Sequence, residues 1–169
     1  MKKENPILGL GRGRAFGAMA IDALKRRLFW VVSRLAFAAY RRLPVFGTLR
    51  SAVGIIRRGP DHYLAIDRSD GRGLGLPGGL ARRRESDEEA VKREIAEETG
   101  LSAARVEFVF RCPISEPIAA NIAVFRVTAD GNLRGSWEGE PQWVTLAELR
   151  SRITVSQRPI VEQLKEWAL

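Results

Sequence analysis

Reactive side chains are scarce in this 169-residue chain: Cys112 is the only cysteine and His62 the only histidine. One cysteine permits neither an intramolecular disulfide nor a multi-cysteine zinc site. One histidine excludes a multi-histidine metal cluster. Any metal must therefore be held by carboxylates, which favours a hard cation such as Mg²⁺ or Mn²⁺. The lack of a disulfide framework fits a reducing, cytoplasmic setting. Long apolar runs are missing too. Leu28–Tyr40 is interrupted by Arg34 and runs about thirteen residues, where a spanning helix needs about twenty. Its long charged lead, and Arg41–Arg42 behind it, make a poor signal peptide. What remains is 45% hydrophobic and 28% charged, too apolar for disorder and too polar for a membrane bundle. The length suits one domain with an appended segment.

The formal net charge of +8 is unevenly placed. Residues 1–50 hold eleven Lys/Arg against two Asp/Glu, while residues 51–169 hold seventeen against eighteen. The basic character belongs to an N-terminal arm, residues 1–46, and the boundary falls near Pro44–Gly47. A Gly/Arg-rich start, Gly9–Arg14, reads as flexible. A helix is predicted over about 18–42, with Leu24, Leu28, Val31, Leu35 and Ala38 on one face and Arg27, Arg34 and Arg41 on another. Pro44 ends it. Two partners fit such an arm: an apolar surface on the domain or on a second copy in a homodimer, or an anionic membrane, where each basic residue adds about 1 kcal/mol. Nucleic acid is the weakest of its candidate partners.

Residues 47–169 read as a mixed α/β domain. Strands are predicted at Ser51–Arg57, Tyr63–Ile66, Val106–Arg111 and Ile118–Thr128, with a last short one at Trp143–Val144. A Gly-rich loop covers Gly71–Gly79. Ser86 and Glu89 form a capping box that opens a helix, and Gly100 stands where a left-handed C-terminal residue belongs. Thr145 and Glu148 form a second box. A final helix uses Ile160, Leu164 and Trp167, with Pro159 in its first turn.

On the first of these helices Glu94, Glu97 and Glu98 stand at i, i+3 and i+4, so their carboxylates share a face. Like charges at that spacing repel by a few tenths of a kcal/mol per pair. A divalent cation converts the repulsion into a ligand set. Val91 and Ile95 occupy the opposite face and suit a sheet contact. Arg93 can orient one carboxylate by a forked hydrogen bond, and Pro77–Gly78–Gly79 allows close backbone approach. Three glutamates alone most often form a solvated helix face. The surrounding residues decide otherwise.

Gly79, Glu85, Arg93–Glu94, Ile95, Glu97–Glu98, Gly100 and Leu101 together resemble the complete Nudix box, G-x5-E-x7-R-E-U-x-E-E-x-G-U with U apolar. Seven fixed residues match without a gap, a coincidence on the order of one in 10⁸ per starting position. Leu76–Pro77–Gly78–Gly79 resembles the family's loop into the helix, and Trp143-Val144-x-Leu146-x-x-Leu149 its C-terminal segment. The resemblance implies an α+β fold, an α/β/α sandwich around a mixed β-sheet, carrying here an extra N-terminal helix. It implies hydrolysis of a pyrophosphate in a nucleoside diphosphate linked to another group, with Mg²⁺ or Mn²⁺. Glu94, Glu97 and Glu98 would be the metal ligands, often joined by the Gly79 carbonyl. Arg93 would orient Glu94, and Glu85 would brace the loop.

Several readings stay open. The general base is Glu94 or, outside the box, Glu138 or Glu140. Substrate contacts are sought at Gly78, Arg82, Arg84 and Glu140, against the alternative that the arginines and Glu140 are solvated loop residues. Leu74 stands where many relatives carry an aromatic residue, and Arg82–Arg83–Arg84 replaces a loop that is often acidic or glycine-containing. Cys112 reads as core and His62 as surface. The rival to an enzyme is a non-catalytic Nudix-like nucleotide-binding or regulatory module, which commonly lacks box glutamates that are all present here.

Overall fold

The computed structural model describes residues 48–115 and 119–164. The basic arm with its expected helix, the expected strand start at Ile118, and Trp167 lie outside the described residues. In chain order the elements are β1 (Leu49–Arg58), β2 (His62–Arg68), β3 (Leu74–Gly75), β4 (Gly78–Leu80), α1 (Asp87–Thr99), β5 (Ser102–Ile114), β6 (Ala120–Asp130), β7 (Gly139–Thr145), α2 (Leu146–Arg152), a 3₁₀ turn at Val155–Gln157, and α3 (Arg158–Gln163).

β1 is the axis of the sheet. Its run Ala52–Ile56 is buried throughout, as befits a strand covered on both faces. β6 pairs parallel with it, Leu49↔Ala120 through Ile56↔Val127. On its other side β4 pairs antiparallel with Ser51–Val53 and β2 with Arg57–Arg58. β5 lies outside β6, and β7 runs antiparallel along the whole of β2. The sheet is therefore mixed, with order β3-β2-β1-β6-β5.

Each face carries its own core. Ala90, Val91 and Ile95 of α1 pack on Ala52, Ile56, Leu64, Ala123, Phe125 and Val127. On the other face Leu149, Ile153, Ile160, Val161 and Leu164 cover Val53, Ile55, Tyr63, Leu74 and Val124, with Cys112 in the same cluster. The helix–sheet–helix layering is the expected sandwich. α1 sits close because of Gly54: a Cβ there would stand 2.8 Å from Ile95 Cδ1, so only glycine lets the helix descend this far.

Both predicted capping boxes form, at Ser86/Glu89 and Thr145/Glu148. Gly100 closes α1 at φ 73°. Pro159 lies in the first turn of α3. Strands β1, β2, β5 and β7 are longer than periodicity indicates, while β6 keeps its expected length two residues further on. Trp143–Val144 extends to a seven-residue β7 because it follows β2 in register. β5 reaches 13 residues, but register shifts at Ala103/Arg105 and Phe108/Phe110 interrupt its alternation. Across the second shift Phe108 pairs with Phe125 and Phe110 with Val124, so the two aromatics face opposite layers. The segment read as a plain Gly-rich loop contains β3 and β4. These strands are held by partners distant in sequence and carry no alternation of their own. Among the described residues no helix is long and apolar enough to cross a membrane.

Candidate functional site

β4 lays Gly78 and Gly79 beside β1, and α1 crosses behind them. A Cβ on Gly78 would come within 2.2 Å of Ala52 O, and one on Gly79 within 2.5 Å of Glu94 Oε1. Gly78 thus lets β4 lie against β1, and Gly79 admits Glu94 of α1. Gly78 N–H donates to Glu98 Oε2 at 2.8 Å, and the Gly79 carbonyl accepts from Ser51 Oγ at 2.8 Å.

The three box glutamates share a helix face but not an environment. Glu98 is buried, the Glu94 side chain is 13% exposed, and that of Glu97 is 53% exposed. Arg93 joins two of them to the loop. Its Nε and Nη2 donate to Glu85 at 2.8 and 3.0 Å, and its Nη1 donates to Glu94 at 2.6 Å and Glu97 at 3.3 Å. A further bond from Nη2 goes to Leu80 O. This fork holds Glu85 down to about 2, helped by the Arg82 N–H, and the carboxylates raise Arg93, Glu85 most of all.

The deeper carboxyls move the other way. Burial raises Glu94, against the Arg93 hydrogen bond, and Glu138 and Glu97 add repulsion. Burial pushes Glu98 up to about 9, against the Gly78 N–H, and Glu138 and Glu94 reinforce the shift. Glu138 is thus the residue outside the box that acts on both deeper carboxyls. It stands in a tight turn, where Ser136 N–H donates to Gly139 O. Ser69 ties that turn to the end of β2 through Glu138 O at 2.9 Å and Trp137 O at 3.1 Å. Of the two glutamates outside the box, then, Glu138 meets the acidic cluster. Glu140 pairs with Asp67 on β7, its carboxylate against Gly135.

Arg82 lies at the rim, with its N–H on Glu85 and its guanidinium 3.4 Å from Glu97. Arg84 is exposed at φ 73°, the only non-glycine residue with positive φ among those described. A position that favours glycine is filled here by arginine. Leu74 is a fully buried β3 residue of the core. His62 begins β2 on the surface.

Sequence reasoning missed Arg68 and Gln157. Arg68 is gripped by Asp70 through two bonds, at 3.1 and 2.7 Å, and its stem crosses Gly75. Asp70 raises it, and Glu138 and Glu98 also act on it. Gln157 Oε1 accepts from Leu76 N–H at 2.7 Å, anchoring the loop before Gly78 from 81 residues away. Neither carries a local signal. Asp70 two residues after Arg68 is the one hint.

The NUDIX domain model matches residues 48–164. The chain belongs to the Nudix family. It is a pyrophosphohydrolase of that family, whose members hydrolyse the pyrophosphate of nucleoside diphosphate derivatives. Among solved structures it is similar to a MutT protein from Methanosarcina mazei Go1 (TM-score 0.62, 24% identity, 71% of this chain and 94% of that one). It is also similar to a MutT NUDIX hydrolase from Burkholderia pseudomallei (TM-score 0.61, 25% identity, 69% and 98%). The E. coli ORF135 protein is a third (TM-score 0.62, 23% identity, 73% and 93%). No curated protein matches by sequence.

Nudix enzymes generally work with divalent metals. Among the described residues no three acidic or imidazole side chains already form a closed cation cage. Arg93 draws Glu94 and Glu97 toward itself, while Glu98 leans on Gly78 and Glu138. The donor chemistry nevertheless fits a hard cation. Glu138 raises the proton affinity of both Glu94 and Glu98, and Glu94 adds to that of Glu98, so positive charge among them relieves the repulsion.

Proposed function

We propose that this Nudix enzyme hydrolyses a nucleoside diphosphate linked to another moiety, in a reaction that requires Mg²⁺ or Mn²⁺. The substrate classes are nucleotide sugars, ADP-ribose, dinucleoside polyphosphates and nucleoside triphosphates. The observation that carries the reading is the meeting of Glu94 and Glu98 with Glu138, beside the Gly78–Gly79 backbone. Glu94, Glu97 and Glu98 would hold the cation, with the Gly79 carbonyl beside them. When bound, it neutralises the pyrophosphate and increases the acidity of a coordinated water.

The protein's own groups do the rest. Arg93 keeps Glu94 aimed by its 2.6 Å bond, and Glu85 keeps Arg93 aimed. That ion pair fixes the Glu94 carboxylate in place as a ligand. Glu138, on the opposite wall, accepts the proton of the attacking water. The water oxygen bonds to one phosphorus, the P–O bond to the bridging oxygen breaks, and two phosphate-bearing products leave. Arg68 and Arg82, at the two sides of the cluster, meet the phosphate oxygens.

The arm at residues 1–46 docks or localises the domain, residues 47–169, and takes no part in the chemistry. Purified protein tested on the four substrate classes, with and without Mg²⁺ or Mn²⁺, decides the reading. Metal-dependent cleavage of at least one class is expected. Binding without cleavage of any class would favour a regulatory nucleotide-binding module. Deleting residues 1–46 leaves turnover unchanged if the arm is a docking device; a soluble, inactive product would contradict that.

A further inference from the structure

The front of α1 carries a second charged cluster, separate from the metal-binding face. Asp87, the first helical residue, is buried and holds one arginine on each oxygen. Arg50 Nη2 stands 2.5 Å from Oδ1, and Arg111 Nη2 stands 2.5 Å from Oδ2. The arginines come from β1 and β5, the strands flanking β6. Their grips on Asp87 are equivalent, but their other contacts differ. Arg111 lies over the Phe108 ring. Arg50 also donates to the Glu85 carbonyl at 3.2 Å.

That extra bond closes a frame around the loop between β4 and α1. The Arg50 carbonyl accepts Ala81 N–H at 3.0 Å, and the neighbouring Ser51 hydroxyl holds the Gly79 carbonyl. Two consecutive residues of β1 therefore fasten the loop at Gly79, Ala81 and Glu85. The loop needs fastening, because Arg84 sits at φ 73° immediately before Glu85. A residue kept in that conformation persists only when its surroundings over-determine it. The consequence reaches the site through Glu85, whose carboxylate grips Arg93 at 2.8 and 3.0 Å while Arg93 grips Glu94 and Glu97.

We propose that Arg50 is a positioning residue for the metal-binding carboxylates: by holding Asp87 and the Glu85 carbonyl together, it fixes the fork that aims Arg93 at Glu94 and Glu97. This rests on the metal reading given above, and Arg111 supplies the control. Arg50→Ala and Arg111→Ala each remove one ion pair from the same carboxylate, but only the first also releases the Glu85 carbonyl.

The experiment is Mn²⁺ titration of the full chain, followed by loss of the free-Mn²⁺ electron paramagnetic resonance signal, alongside melting in chelator. Both variants should melt lower than wild type by similar amounts. Arg50→Ala should bind Mn²⁺ about tenfold more weakly, as outer-shell partners do, and Arg111→Ala like wild type. Equal losses of Mn²⁺ affinity in the two, or none in Arg50→Ala, would overturn the proposal. Should either fail to fold, Arg50→Lys and Arg111→Lys replace them. Each keeps an ion pair to Asp87, but a single ammonium does not reproduce the planar fork that also reaches Glu85. Weaker Mn²⁺ binding in Arg50→Lys alone supports the proposal, and equal binding overturns it. Wild-type protein that binds no Mn²⁺ would overturn the metal reading itself, and the proposal with it. Loss of Mn²⁺ binding in Glu98→Gln secures that reading independently.

Discussion

Glu94 and Glu98 stand one helical turn apart on α1, fixed by a single helix and its cap. Glu138 reaches the same place from a turn before β7, held there by Ser69 at the end of β2. One wall of the site is local and rigid. The other is assembled from the β2–β7 pairing and a turn pinned by three backbone and side-chain bonds. On the proposed reading the local wall would carry the ligands, and the assembled wall the proton acceptor and Arg68. Metal binding and proton transfer would then be set by different parts of the chain, so they should fail separately.

Glu138→Gln should expose that separation most sharply. Losing a general base costs about 10²-fold or more in turnover, while Mn²⁺ affinity should change far less than in Glu97→Gln or Glu98→Gln. Parallel kinetics and metal titrations check this, and equal losses in both quantities would merge the two walls into one.

Ile95→Ala attacks the footing of the local wall. It removes a fully buried side chain over Gly54 and should cost about 2–5 kcal/mol in denaturant unfolding. A cost below 1 kcal/mol would deny that the helix is anchored there.

The pH dependence separates the walls by charge. Without metal, Glu98 keeps its proton in the folded state up to about 9, while the unfolded chain releases it near the ordinary carboxylate value. The folded state therefore binds more protons across that window, and stability falls as pH rises from about 5 to 9. Melting in chelator should follow this fall in wild type and flatten in Glu98→Gln. At pH 8 the variant should melt at least about 4 °C higher. A wild-type melting point that rises over the window would contradict the assignment.

Arg84→Gly should have the smallest effect, a gain of about 0.5–1 kcal/mol from relieving a left-handed residue. If turnover also holds, Arg84 is a loop residue and not a substrate contact.

Legibility in the sequence follows the same division. Ser86, Glu89, Gly100 and the box glutamates lie within one helix and its ends, where spacing translates directly into geometry. Their capping bonds and the positive φ at Gly100 formed as read. Glu138 was legible only as one of two glutamates near Trp143. What singles it out is the pairing of β7 with β2 and the tight turn at Ser136–Gly139, which no local pattern encodes. Arg68, Gln157 and Arg50 were illegible for the same reason, since each acts on a residue that only the fold brings near. β5 shows the effect in the fold itself. Its two register shifts break the alternation that would have announced 13 residues.

The most direct test is turnover of the best substrate from the four classes, measured in Mg²⁺ or Mn²⁺, in chelator, and in Glu98→Gln at saturating metal. The account predicts cleavage of the pyrophosphate into two phosphate-bearing products, loss of activity in chelator that returns with metal, and a fall of at least about 10²-fold in the variant. Turnover that survives both chelator and Glu98→Gln would contradict it.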